Sequence, residues 1–266
     1  MPKASFGDFE LYYEIHGSGE PVLLVPGLGG VGAYWRPNLP AFSASYRAIV
    51  HDHRGTGAST RERMAYSVEQ MTDDLVRLMD HLGIARAHLV GHSTGGAIGQ
   101  TLAVRHPERL ASLVVYASWT HCDPFFARVF EARRTLLMSA GARAYVRSTP
   151  VFLYPDWWVN DNIALLEERE KAAIPAFPAP EIGAARIDAI LAFDSRAELG
   201  RIRTPTLVLC AKDDILTPPY FSRALAGAIP GAQLTILERG GHCASETVRD
   251  EFNATVLAFI GEHRFQ

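Results

Sequence analysis

The sequence predicts a single α/β domain whose mostly parallel central sheet is flanked by helices and interrupted by a helical insertion. Three observations carry that reading. Apolar runs of strand length alternate with stretches of helical spacing, as they do in chains built from strand–helix–strand units. Most of those runs are continuously apolar, as strands covered on both faces by helices must be, and they end in glycine or polar loops. Between residues 120 and 198 the strand signal stops and helical stretches take over. With 266 residues, 48% of them hydrophobic, the chain is long enough to bury a sizeable core around such a sheet.

The elements follow in order. FELYYEIHG (residues 9–17) alternates and predicts an amphipathic strand, whereas PVLLVPG (21–27) is a short apolar run stopped by Pro-Gly. YRAIVHDHRGTGAS (46–59) repeats the pattern of strand and glycine loop. SVEQMTDDLVRLMDHLG (67–83) has helical spacing, a serine start and a glycine stop. AHLVGHS (87–93), TGGAIGQTLAVRHPE (94–108) and LASLVVYAS (110–118) read as strand, helix and strand. The pattern resumes with the strand TPTLVLCAKDD (204–214), the helix PPYFSRALAGAI (218–229), the strand AQLTILERGGH (232–242) and the helix ETVRDEFNATVLAFIGEH (246–263). These predict a core of residues 1–119 and 199–266.

Residues 120–198 predict a helical cap. Its helical stretches, FFARVFEARRTLLMSAGARAYVRS (125–148) and NDNIALLEEREKAAI (160–174), are divided by YPDWW and PAFPAPE, and the segment is too long for an ordinary connection. Long excursions inside compact α/β domains are commonly lids or binding segments.

Charge and cysteine usage narrow the partners. A formal net charge of −3 gives no general attraction to nucleic acid or to an anionic membrane. A small-molecule substrate is the expected partner, with the oligomeric state left open and a homodimer among the options. The opening MPKASFGDFELYYEI lacks the features of a secretory signal, and no later stretch reaches membrane-spanning length. Cys122, Cys210 and Cys243 show neither a close pair nor metal-ligand spacing. A cytoplasmic protein with free thiols is the expectation.

Ligands of open α/β sheets gather beyond the carboxyl ends of the strands, so a catalytic set should follow strand segments. Ser93 follows AHLVGH at the apex of Gly91-His92-Ser93-Thr94-Gly95, Asp214 follows TLVLCAKD, and His242 follows LTILERGG. A serine hydroxyl is a poor nucleophile until a histidine accepts its proton and a carboxylate fixes the imidazole tautomer. Gly91 and Gly95 permit a sharp strand-to-helix turn, and the following helix aims its first amides at developing negative charge. An oxyanion needs convergent donors, expected from the backbone amides of Leu28, in VPGLGG, and of Thr94. Asp213 competes for the acid role. Cys243 would be a rival nucleophile, but its evident base is the same His242.

These residues resemble the α/β-hydrolase family over essentially the whole chain, which implies an α/β-hydrolase fold. The family's acid commonly precedes a proline by four positions, as Asp214 precedes Pro218 in DILTP, so the resemblance selects Asp214. The early family loop often reads His-Gly where this chain has Pro26. GLGGVGAYWRPNLPAF, DHRGTGAS, FLYPDWW and GGHCA are most similar to the aminoacrylate hydrolases of bacterial pyrimidine utilisation and next to 3-oxoadipate enol-lactonases. Some members of the first branch lack a hydroxyl at the nucleophile position, where this chain has Ser93.

The functional expectation is a serine hydrolase of a small metabolite, cleaving an ester, lactone, amide or enamine-type C–N bond through an acyl-enzyme. No metal or organic cofactor is implied, since the triad makes its own nucleophile. Two alternatives keep the fold: a ligand sensor signalling through its cap, and cofactor-free oxygenase or lyase chemistry with the His-Asp pair as base. Trp119, Trp157 and Trp158 are candidate substrate contacts from the cap side. Arg128, Arg133, Arg134, Arg143 and Arg147 could form an anion clamp, although solvated helix faces with Glu partners are the more ordinary reading.

Overall fold

In a computed structural model describing residues 2–265, the strands are β1 (Lys3–Ser5), β2 (Glu10–His16), β3 (Pro21–Val25), β4 (Arg47–His51), β5 (Ala87–His92), β6 (Leu110–Tyr116), β7 (Thr206–Ala211) and β8 (Gln233–Leu237). They form one sheet in the order β1-β2-β4-β3-β5-β6-β7-β8. β1 and β2 run antiparallel at one edge, and from β4 onward every neighbour is parallel. The helices of the first half are α1 (Leu39–Ser43), α2 (Val68–His81) and α3 (Thr94–Arg105). After β6 come α4 (Pro124–Leu153), α5 (Asp156–Asp161), α6 (Ile163–Ala176) and α7 (Pro180–Ala192), and after β7 come α8 (Pro219–Ala228), α9 (Ala244–Thr247) and α10 (Arg249–Gly261).

The continuous apolar runs serve two cores at once, because successive strand side chains point to opposite faces. Leu23, Val25, Leu89, Leu113, Val115 and Val208 pack with residues of α2, α3 and α8. Val22, Leu24, Val90, Val114, Leu207 and Leu209 pack on the other face with Phe42 of α1 and Phe252, Val256 and Phe259 of α10. Each fully buried apolar side chain contributes roughly 1.5–3 kcal/mol, so the sheet is a rigid base for the loops at its strand ends. The Ser67 hydroxyl caps α2 by accepting from the Gln70 amide at 3.0 Å.

The four helices between β6 and β7 stand where the helical segment was expected. α4 is broken at Gly141, whose φ of 78° lies in the left-handed region that glycine enters freely. The two ends of the segment meet in an antiparallel bridge between His121 and Asp194, and the Ser195 amide donates to the Thr120 carbonyl at 2.8 Å. Among the described residues no helix is long and apolar enough to cross a membrane. Because β3, β5, β7 and β8 are parallel members of one sheet, the loops that follow them leave along the same edge.

Candidate active site

Ser93 stands between β5 and α3 with φ 53° and ψ −111°, a conformation that a side-chain-bearing residue holds only when its surroundings dictate it. The surroundings do so. Its amide donates to the Tyr116 carbonyl at 2.8 Å, and its carbonyl accepts from the Ser118 hydroxyl and the Gly96 amide, each at 2.9 Å. A Cβ on Gly91 would strike the Gly95 carbonyl, and one on Gly95 would strike the carbonyl of Val25, so only glycines let this turn close.

Asp214 is buried in the loop after β7. Its Oδ1 accepts from the amides of Leu216 (2.8 Å) and Thr217 (2.9 Å), and its Oδ2 accepts from the Thr217 hydroxyl (2.8 Å) and from His242 Nδ1 (2.9 Å). An ionised carboxylate only accepts, so Nδ1 carries the proton and Nε2 of the neutral ring has a free lone pair. Among the described residues Nε2 is buried without a hydrogen-bond partner, so the bond from Ser93 Oγ is not formed in this structure. Catalytic hydrogen bonds commonly tighten only when substrate is bound.

The backbone of His242 is pinned as firmly as its ring. Its carbonyl accepts from the Tyr116 hydroxyl at 2.8 Å and from His92 Nε2 at 3.1 Å, and the Tyr116 oxygen in turn accepts from the Ser245 amide at 3.0 Å. The His92 ring stacks on Tyr34 with centroids 4.5 Å apart and lies 4.7 Å from the His242 ring. Burial, aided by the nearby His242, holds the His92 pKa well below the ordinary histidine value, so it orients its neighbour as a neutral ring. Asp213, the rival acid, instead accepts from the Gly241 amide at 2.8 Å. Cys243 is fully buried, and burial pushes its thiol pKa far upward, so it offers no thiolate.

Leu28 lies in the loop after β3, in a turn closed by the Gly30 amide on the Gly27 carbonyl at 2.9 Å. Gly27 sits against the serine turn: a Cβ there would come 3.2 Å from Ser93 Cβ. Thr94 is the first residue of α3, and among the described residues neither its amide nor that of Leu28 is engaged with another main-chain group. Two residues that sequence reasoning passed over organise this loop. The Asp52 carboxylate accepts from the Gly32 and Ala58 amides, each at 2.8 Å. Arg186 of α7, 1% exposed, reaches in from the helical segment. It donates to the Leu28 and Arg54 carbonyls and to His53 Nδ1, each at 3.0 Å. Burial presses its pKa down to about 10. The sequence did carry a signal, an arginine on the apolar stripe of Ile182, Ile187 and Ile190.

The tryptophans have separate settings. Trp119 is fully buried and stacks on Phe126, Trp158 stacks on Tyr154 with centroids 4.3 Å apart, and the Arg239 guanidinium lies 4.8 Å over the Trp157 ring. None of the three lines the groove of about 470 Å³ that reaches His242 between Phe152, Leu153, Tyr154 and Ile215. Of the five cap arginines, Arg134 and Arg147 are exposed and paired with Asp188 and Glu170, as solvated faces would be. Arg133 departs from that reading: it is buried against the Phe130, Tyr145 and Phe152 rings and donates to the Tyr145 hydroxyl at 3.0 Å.

Comparison with known proteins gives the fold its relatives. A family model described as the alpha/beta hydrolase fold matches residues 20–247. A protein of Azorhizobium caulinodans named as a carbamate hydrolase, RutD, is 45% identical over 262 residues, covering 98% of this chain and 99% of that protein. An enol-lactonase from Burkholderia xenovorans LB400 superimposes with a TM-score of 0.90 at 29% identity, covering 98% of this chain and all of the other. A meta-cleavage product hydrolase from Pseudomonas fluorescens IP01 does so with a TM-score of 0.79 at 30% identity, covering 96% of each.

Proposed function

As the chain belongs to the α/β-hydrolase family and is a hydrolase, we propose that it cleaves a small carbamate or enamine-type C–N substrate with Ser93 as nucleophile, His242 as base and Asp214 as the acid that orients it. The observation that carries this reading is the 2.9 Å bond from His242 Nδ1 to Asp214, which leaves Nε2 as the proton acceptor. On a carbamate, His242 Nε2 takes the Ser93 proton as Oγ bonds to the carbonyl carbon that carries the departing nitrogen. The amides of Leu28 and Thr94 hold the oxyanion, and the protonated His242 returns its proton to the departing nitrogen. Water, deprotonated by the same histidine, then releases the acyl group and restores the serine. The carbamate-hydrolase relative is favoured over the lactonase as a guide to the bond, because its identity is far higher over the same length of chain.

The unformed Ser93–His242 bond favours a second reading, in which the His242–Asp214 pair activates water directly. One experiment separates them: turnover of small carbamates, enamine amides, enol-lactones and p-nitrophenyl acetate by the wild type and Ser93→Ala, with mass spectrometry after fluorophosphonate treatment. The serine reading expects a single label at Ser93 and turnover lost in Ser93→Ala, with C–N substrates preferred. Undiminished turnover by Ser93→Ala would sink it in favour of the direct base.

A further inference from the structure

We infer that Arg186 is a positioning residue of the oxyanion hole, a clamp through which the helical segment holds the Leu28 loop in its reactive shape. The inference rests on the proposed role of the Leu28 amide. One guanidinium bonds to two loops more than 130 residues away in sequence: the Leu28 carbonyl after β3, and the Arg54 carbonyl and His53 Nδ1 after β4. The same loops are tied together at Gly30, whose carbonyl accepts from the His53 amide at 2.7 Å and the Thr56 hydroxyl at 2.8 Å. A Cβ on Gly30 would come 2.8 Å from Arg186 Nη2, so the loop leaves room for the guanidinium where a side chain would expel it. His53 is able to accept because burial and the adjoining Arg186 keep its ring neutral.

What Arg186 lacks is as informative as what it holds. None of its hydrogen bonds goes to a carboxylate among the described residues, and its Nε is buried without a partner. Burying a cation without a counter-ion is costly, and an apolar residue beside Ile182 and Ile190 would pack the same stripe without that cost. The gain lies at Leu28. Its carbonyl is held by the clamp, which restricts rotation of the residue, so its amide keeps one direction toward the site where negative charge develops. A misplacement of about 1 Å in such a group can cost on the order of 100-fold in rate.

The test compares wild type, Arg186→Met, Arg186→Gln and Arg186→Lys with p-nitrophenyl acetate, a small ester that makes few other contacts. Alongside kcat and KM, the affinity for a trifluoromethyl ketone is measured, because its serine adduct carries an oxyanion. Arg186→Met is expected to lower kcat roughly 10- to 100-fold with little change in KM. Ketone affinity should fall by the same factor as kcat/KM, and Arg186→Lys should recover part of both. If Arg186→Met does not fold, Arg186→Gln gives the same reading. Values of kcat within about twofold of wild type in the folded variants, or lost kcat with unchanged ketone affinity, overturn the clamp. Absence of fluorophosphonate label at Ser93 in the wild type overturns the serine reading itself and the clamp with it, whereas a labelled wild type with unaffected variants overturns the clamp alone.

Discussion

Asp213 and Asp214 are neighbours of one chemical type with different work, and the difference is measurable. Asp214 meets the imidazole, so Asp214→Asn should lower turnover by about 10⁴-fold, as neutralising such an acid does elsewhere. Asp213 holds only the Gly241 amide at the edge of the groove, so Asp213→Asn should cost less than about tenfold, since an amide oxygen still accepts that bond. Steady-state kinetics on both variants checks this, and equal losses would place the acid elsewhere. The placing of Ser93, Asp214 and His242 behind strand ends was legible because each follows an apolar run with a glycine or polar loop, a pattern local in sequence. Arg186 was only half legible: its place on the apolar stripe of α7 marked it as buried, but its partners come from residues 28, 53 and 54, and nothing local to α7 announces them.

Among the elements, α4 and α5 divide the labour of the groove. Trp158 is 8% exposed and stacked on Tyr154, whose hydroxyl donates to Glu246 Oε2 at 3.0 Å. Trp158→Ala should therefore lower stability by roughly 3–5 kcal/mol and slow all substrates by a common factor. Phe152, at the end of α4, lines the groove beside His242, so Phe152→Ala should change relative kcat/KM among carbamates, lactones and activated esters. Thermal unfolding and a three-substrate comparison on both variants separate these outcomes; reversed results would give substrate choice to the tryptophan. The helical character of 120–198 was legible from its spacing. The bend at Gly141 was not, since a lone glycine in a helical pattern does not say whether the chain bends or runs on.

At the scale of the whole molecule, acid should weaken the fold through its buried histidines. Burial lowers the His51 pKa from 6.5 to about 4, and His53 and His92 shift in the same direction. Between those values the unfolded chain binds a proton at His51 that the folded one refuses, so stability is complete above pH 6.5 and is lost as pH falls toward 4. At about 1.4 kcal/mol per pH unit, His51 alone accounts for about 3 kcal/mol. Urea midpoints at pH 7 and 4.5 should differ less in His51→Gln than in wild type; an equal difference would remove His51 from the account. The parallel sheet was legible because continuous apolar runs have few other uses, whereas the antiparallel edge was only half visible, β1 being three residues long. The helical segment touches the core well beyond its neck at His121 and Asp194: Arg186 grips the Leu28 loop, and the Cys243 amide donates to the Leu153 carbonyl at 3.0 Å. A chimera that transplants another protein's insertion at the neck would therefore inherit a new pocket while losing the fasteners that tie the insertion to the loops carrying Leu28 and His242. Exchange of specificity by grafting requires those two contacts to travel with the graft.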